Sequence, residues 1–318
     1  RLRSRQVSEM IRQNSSKLKI GFIGTGTAGT ALAVKLHTRG YQIAAASDRT
    51  PSAARRFAEM VPGCVIYGQN QNVADNADLI FITTPDDIIA PIAAGLKWHN
   101  RQSVVHCSGA ASLDILAPAR EDGAITGAMH PLQTFAGISQ AIENIPGSTF
   151  AIEADEPLFS TLRDMAIAMG GTCIKLNPGD KVLYHAAAVL SCNYLVTLVK
   201  LATDLYKSFG IEPQQATQAL MPLLQGTLNN IGSVGIPDCL TGPIARGDTG
   251  TVRKHIAAME QSTPQALDAY LEMGLQTIPI ALEKGKIDSK TADIMKTLLK
   301  EKQHERNAER QNPSRAGH

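Results

Sequence analysis

No charge of one sign dominates this chain. Its 318 residues hold 31 Lys and Arg against 29 Asp and Glu, a formal net charge of +2, which excludes a strong polyelectrolyte partner and argues against nucleic acid. No C-x-x-C pair occurs. The five cysteines (Cys64, Cys107, Cys173, Cys192, Cys239) are an odd set in or beside apolar runs, which fits reduced, packed thiols and not a disulfide framework. No apolar run approaches the ~20 residues of a membrane span, and the first residues lack the apolar core of a signal peptide. A soluble, cytoplasmic protein with no membrane partner is therefore expected. Neither a solenoid-period repeat nor a low-complexity tract is present, and no residues are assigned to a metal.

What charge excess exists is concentrated at the start. Arg1, Arg3, Arg5, Arg12, Lys17 and Lys19 face Glu9 alone, and residues 1–16 read as a basic, solvated arm. Residues 300–318 alternate both signs and read as a solvated helix end running into a tail. The length between suits two domains, 17–177 and 178–299.

The first carries the most informative stretch. Apolar residues Ile20 to Ile23 enter Gly24-Thr25-Gly26-Thr27-Ala28-Gly29, and a helical pattern from Thr30 to His37 leaves it. This is the strand–turn–helix context of a dinucleotide fingerprint. Gly24 permits the tight turn, Gly26 lets the backbone approach a pyrophosphate, and Gly29 lets the helix pack on the strand. A second apolar run, Tyr41 to Ser47, ends at Asp48, about 20 residues past the last glycine, where an acid can accept from the ribose 2′-hydroxyl of NAD. Arg49 next to it, with Arg55 or Arg56 following, suits the 2′-phosphate of NADP. The neighbours pull opposite ways, and both cofactors stay open.

Strand and helix patterns then alternate. Strands are expected at Val65–Tyr67, Asp78–Thr83, Ser103–His106, Ile125–Met129, Phe150–Ile152 and Cys173–Leu176. Helices are expected at Ser52–Met60, Asp87–Leu96, Leu113–Ala117 and Leu158–Met169. That alternation predicts an α/β, doubly wound Rossmann domain. Ligands of such sheets lie beyond the carboxyl ends of the strands. Thr84-Pro85-Asp86, Cys107-Ser108-Gly109-Ala110 and His130-Pro131-Leu132 are placed there; Thr84, Pro85, Asp86, Ser108 and Gly109 join the fingerprint, Asp48 and Arg49 as cofactor candidates.

After Asn177-Pro178-Gly179-Asp180 the strand signal stops, and an all-α domain follows. Asp180 is a candidate N-cap for a helix to about Phe209, Pro213 opens one to about Asn230, Asp248 caps a third, and Pro264 starts a fourth that Gly285 stops. At 100° per residue, Lys181, His185, Ala188 and Cys192 share one face, with Tyr184 flanking and Asn193 adjoining. Lys181 and His185, one turn apart, can converge on one ligand. In Leu240-Thr241-Gly242-Pro243-Ile244-Ala245-Arg246-Gly247-Asp248, Arg246 is suited to a substrate carboxylate or to organising the loop with Asp248, and Thr241 joins it as a substrate-binding candidate.

Taken with His106-Cys-Ser-Gly-Ala110, His130-Pro-Leu-Gln-Thr-Phe135, Lys181-x-x-Tyr184-His185-Ala-Ala and Asn193-Tyr194, these motifs resemble the Rossmann-like oxidoreductase family whose C-terminal half is the domain of unknown function 2520. The resemblance covers roughly residues 17–282. It extends to the 6-phosphogluconate dehydrogenase-like enzymes, including pyrroline-5-carboxylate reductase. It implies a nicotinamide-binding domain, a helical dimerisation domain like the C-terminal domain of those enzymes, and no substrate. Family members often have Ser-Arg where this chain has Asp48-Arg49. The Lys-x-x-x-Asn pair of hydroxyacid dehydrogenase relatives does not carry over, because His185 follows Lys181.

The expectation is an NAD(P)-dependent oxidoreductase and homodimer acting on a small carbonyl, imine or hydroxyacid. His130 and His185 are the proton-donor candidates, since histidine titrates nearest neutrality, with Lys181 and Asn193 behind them. The alternative is a non-catalytic NAD(P) sensor.

Overall fold

The computed structural model describes residues 18–311 and divides the chain into two compact units, residues 1–192 and 193–318. The basic arm 1–16 and the last residues of the tail lie outside the described range.

The first unit is an eight-stranded sheet in the order β3-β2-β1-β4-β5-β6-β7-β8. Its strands are β1 (Lys19–Ile23), β2 (Gln42–Ser47), β3 (Val65–Tyr67), β4 (Leu79–Ile82), β5 (Ser103–His106), β6 (Ile125–Leu132), β7 (Thr149–Ala154) and β8 (Thr172–Lys175). All neighbours are parallel except β6 and β7. Continuous apolar strands follow from burial on both faces. Phe22, Leu79 and Phe81 point into one core with Leu32, Leu36 and Phe57; Ile23, Ile80 and Ile82 point into the other with Val73, Ile89 and Trp98. The helices covering the faces include α1 (Thr27–Thr38), α2 (Pro51–Met60), α3 (Asn70–Asp75), α4 (Asp86–Gly95), α5 (Ala117–Glu121), α6 (Ile138–Asn144) and α7 (Leu158–Ala168). Beside β1 the strand order reverses, which opens a crevice at the carboxyl ends of β1 and β4.

Four expectations in this unit are corrected. β6 runs on to Leu132, so His130 and Pro131 belong to the strand and pair with Ala151 and Phe150. Past Ala128, β6 has no β5 neighbour, and a missing proline N–H is tolerated there. The helix after Asp180 runs as α8 (Lys181–Ala188) and is interrupted by a π-turn at Val189–Asn193. Asp180 does not cap it; its carboxylate accepts from Asn177 N and Nδ2 at 2.9 and 3.1 Å. Cys192 is exposed, not packed.

The second unit is all-α: α9 (Tyr194–Lys207), α10 (Pro213–Val234), α11 (Thr249–Ser262), α12 (Pro264–Glu283) and α13 (Ser289–Gln311). Asp248 caps α11 by accepting from Thr251 N at 2.9 Å. Val252, Ile256, Leu267, Leu271, Met295 and Leu299 form the core. α10 passes through Gly226 and Gly232 and stops at Gly235 (φ 73°), beyond its expected end. Residues 300–311 form the largely exposed end of α13, held by Arg306, whose guanidinium donates to Asp268 Oδ1 (2.7 Å) and the Pro264 carbonyl (2.8 Å).

No unbroken apolar run approaches a membrane span, and one stretch qualifies on its average composition alone. The α–π–α stretch Lys181–Lys207 is long and apolar enough to cross a membrane, by length and composition. Polar residues such as His185, Ser191 and Asn193 break the run in sequence without lowering its average enough.

Candidate functional site

Each fingerprint glycine has a distinct steric reason. Gly24 sits at φ +97°, and a Cβ there would lie 2.9 Å from Thr84 Cγ2. A Cβ on Gly29 would come within 2.6 Å of the Gly24 carbonyl, so the helix can approach the strand only without one. A Cβ on Gly26 would meet nothing within 4 Å. Gly26 is the exposed N-cap of α1 and has no side-chain cap, so the first-turn N–H groups are left without a side-chain acceptor beside open space at Gly26. A dipole end facing an open cradle fits the pyrophosphate of a dinucleotide.

The cavity beyond, about 280 Å³, is lined among others by Asp48, Arg49, Thr84 and Pro85. Thr84 Oγ1 is buried with no partner, an acceptor and donor left for a ligand. Asp48 differs from its expected posture. Its Oδ2 accepts from Thr25 N (2.6 Å) and Thr25 Oγ1 (2.9 Å), and its Oδ1 from Thr50 N (2.8 Å). Burial raises its pKa, but these bonds outweigh that and hold it below the ordinary carboxylate range. Arg49 is exposed and forms no ion pair among the described residues.

Ser108 and Gly109, after β5, gather a second group. The Ser108 hydroxyl donates to Asp86 Oδ2 (2.7 Å) and accepts from Ala110 N and Ala111 N (3.2 and 3.0 Å). Its carbonyl accepts from Lys181 Nζ (2.7 Å), and its N–H donates to His106 Nδ1 (3.2 Å). The Ser108 hydroxyl is thus engaged within the chain. Over Gly109 stand two imidazoles: a Cβ there would lie 2.7 Å from His185 Cδ2 and 2.9 Å from His130 Nε2. The two rings are 6.3 Å apart, and His130 Nδ1 lies 2.8 Å from the Tyr184 hydroxyl.

Burial disfavours charge on several of these side chains. Burial, and then Lys181, lower His130 to about 4. Burial lowers Lys181 to about 8 and His106 to about 3, and raises the Cys107 thiol to about 12. Glu153, on β7, is raised by burial, and its Oε2 has no partner. Lys181, His130 and His185 thus meet around Ser108 and Gly109. Tyr184, flanking on the helical wheel, is the residue that reaches His130. Asn193, Thr241 and Arg246 belong to the second unit; Thr241 and Arg246 are exposed, and Arg246 makes no ion pair with Asp248. Among the described residues no group of three His, Cys, Asp or Glu is arranged to hold a metal ion.

Residues 4–131 match the profile of the Rossmann-like domain, and residues 148–277 that of the domain of unknown function DUF2520. A Thermotoga maritima protein of known structure is similar at 25% identity and TM-score 0.68, over 84% of this chain and 100% of that one. An imine reductase from Myxococcus stipitatus in complex with NADP+ matches at 16% identity and TM-score 0.60, over 88% and 99%. A pyrroline-5-carboxylate reductase from Coxiella burnetii matches at 16% and 0.55, over 85% and 97%. The last two likenesses show the fold alone. No curated protein matches the chain.

Proposed function

Because the chain belongs with the proteins that join a Rossmann-like domain to the domain of unknown function 2520, we propose that it is an NAD(P)-dependent oxidoreductase acting on a small carbonyl, imine or hydroxyacid. One observation carries the reading: within one unit, the sheet presents an open cradle at Gly26 after β1, and His130 from the end of β6 meets His185 from α8 over Gly109, in the turn after β5. The nicotinamide, when bound, supplies the hydride. The chain's own residues hold the phosphates on the α1 N-terminus and present imidazole N–H or N to the reacting atom. The imine and pyrroline-5-carboxylate reductases among the structural neighbours support this substrate class.

NADP is the cofactor this chain suits better. Asp48 turns its carboxylate to Thr25 and Thr50, while Arg49, which lines the cavity and has no ion pair among the described residues, is left for a 2′-phosphate. Thr241 and Arg246 are assigned to the substrate and Asn193 to the catalytic group, and the cytoplasm is the compartment. A homodimer through the helices is supported by their exposed apolar side chains: Leu183 is 79% exposed, Val196 68% and Leu223 66%.

The test is a fluorescence titration with NADPH and NADH, followed by cofactor oxidation against a panel of 2-oxo acids and cyclic imines. Binding with turnover supports the enzyme. Tight binding with no turnover on any substrate favours a sensor, and no binding removes both readings.

A further inference from the structure

His130 gives one ring nitrogen to Tyr184 and keeps the other open. Nδ1 lies 2.8 Å from the Tyr184 hydroxyl, and the rings meet edge to face at 85°. Nε2 has no hydrogen-bond partner among the described residues and is not sealed from solvent. It faces Gly109, where the missing side chain leaves it uncovered: a Cβ would stand 2.9 Å away.

A neutral imidazole and a phenol can bond in two ways. The O–H to Nδ1 bond joins the more acidic donor to the more basic acceptor, since a phenol ionises near pKa ~10 and an imidazole nitrogen accepts near ~6.5. With Nδ1 accepting, the single ring proton stands on Nε2, because the bond at one nitrogen sets the state of the other. Both partners are held neutral. Burial, then Lys181 and His185, keep His130 at about 4 against the opposing pull of Asp86, and burial keeps Tyr184 protonated up to about 12. A charged imidazolium is therefore not the resident acid at neutral pH.

Resting on the oxidoreductase reading above, we propose that Tyr184 is a positioning residue acting through His130: its hydroxyl fixes the Nε2–H tautomer and replaces that proton when Nε2 gives it up. In the reductive direction the Nε2–H bond breaks toward the oxygen or nitrogen of the reduced C=O or C=N, while the Tyr184 O–H proton passes to Nδ1. His130 ends neutral in the opposite tautomer, and the tyrosinate regains a proton from water. The hydride and its two electrons are the reduced nicotinamide's, so the protein contributes one proton and no electrons.

Long-range 1H–15N correlation on the full chain labelled with 15N-histidine reads the tautomer directly, with His130 assigned from His130→Asn. Wild-type His130 is expected as the Nε2–H tautomer at pH 7. Tyr184→Phe keeps the ring and removes the hydroxyl; it should admit the Nδ1–H tautomer while NADPH affinity holds. On whichever 2-oxo acid or imine is turned over, kcat should fall about 10²-fold with KM unchanged. A merely structural tyrosine leaves the tautomer as it was. Wild-type His130 in the Nδ1–H tautomer, or an unchanged tautomer in folded Tyr184→Phe, overturns the proposal. If the variant does not fold, the wild-type spectrum decides alone. A wild-type protein that binds no NADPH is the separate result that removes the oxidoreductase reading, and the relay with it, whatever the tautomer.

Discussion

Two glycines three residues apart should respond oppositely to substitution. A Cβ on Gly26 meets nothing within 4 Å, and the backbone there (φ −67°, ψ −171°) suits any residue. Gly26→Val should therefore cost the fold only what the N-cap preference of glycine over valine is worth, about 0.5–1 kcal/mol. For a unit of this size that is a fall of roughly 1–4 °C in Tm. Gly29→Ala drives its Cβ to 2.6 Å from the Gly24 carbonyl, a backbone atom that cannot rotate away. Overpacking of this kind costs about 1–3 kcal/mol and should lower Tm by up to about 10 °C. Binding should follow the reverse order of severity. In Gly26→Val the branches occupy the space of the pyrophosphate, and NADPH affinity should drop about 100-fold, near 2.8 kcal/mol at 1.4 kcal/mol per decade. Thermal melts without ligand and fluorescence titration with NADPH, run on both variants and the parent, separate the two effects. Micromolar NADPH affinity in folded Gly26→Val would refute the placement of the phosphates. A melt as depressed as that of Gly29→Ala would refute the open cradle.

Arg49→Ala should reduce the NADPH-to-NADH affinity ratio about tenfold, the worth of one charge-assisted contact; an unchanged ratio in the same titrations would show that the guanidinium does not reach the 2′-phosphate. His106 and His130, held near 3 and 4 in the fold against about 6.5 unfolded, take up protons on unfolding. Their contribution is complete above pH 6.5 and declines as pH falls toward 4, so the urea midpoint should drop across that window; a flat midpoint contradicts it. Sedimentation at micromolar concentration should give a dimer, which Leu183→Asp with Val196→Asp converts to monomer; a monomeric parent sinks the interface.

Much of the fold was legible because its determinants are local. Continuous apolar strands such as Leu79–Ile82 announce burial on both faces, and Pro213, Asp248 and Pro264 mark helix starts where the structure has them. The failures have local causes too. α3 and α6 are only 6 and 7 residues long, too short for a helical period to stand out. Glycine is a weak breaker inside a packed helix, costing about 1 kcal/mol, so Gly226 and Gly232 did not end α10.

Around Gly109 the residues that gather were legible in sequence, but their bonds were not. Spacing placed Asp48 at a strand end and Lys181 with His185 on one helix face. It could not say which lone pairs and protons were already taken. Thr25 and Asp48 are 23 residues apart, His130 and Tyr184 54, Ser108 and Lys181 73. Such partners are chosen by tertiary packing, with no period to reveal them. Yet the partners decide the chemistry. A carboxylate bonded to its own fingerprint loop has fewer lone pairs left for a ribose hydroxyl, and a lysine donating to a buried carbonyl has one proton fewer to offer an anion. A histidine whose Nδ1 is taken by a phenol has only Nε2 left to work with. The same residues with other partners would make a different site.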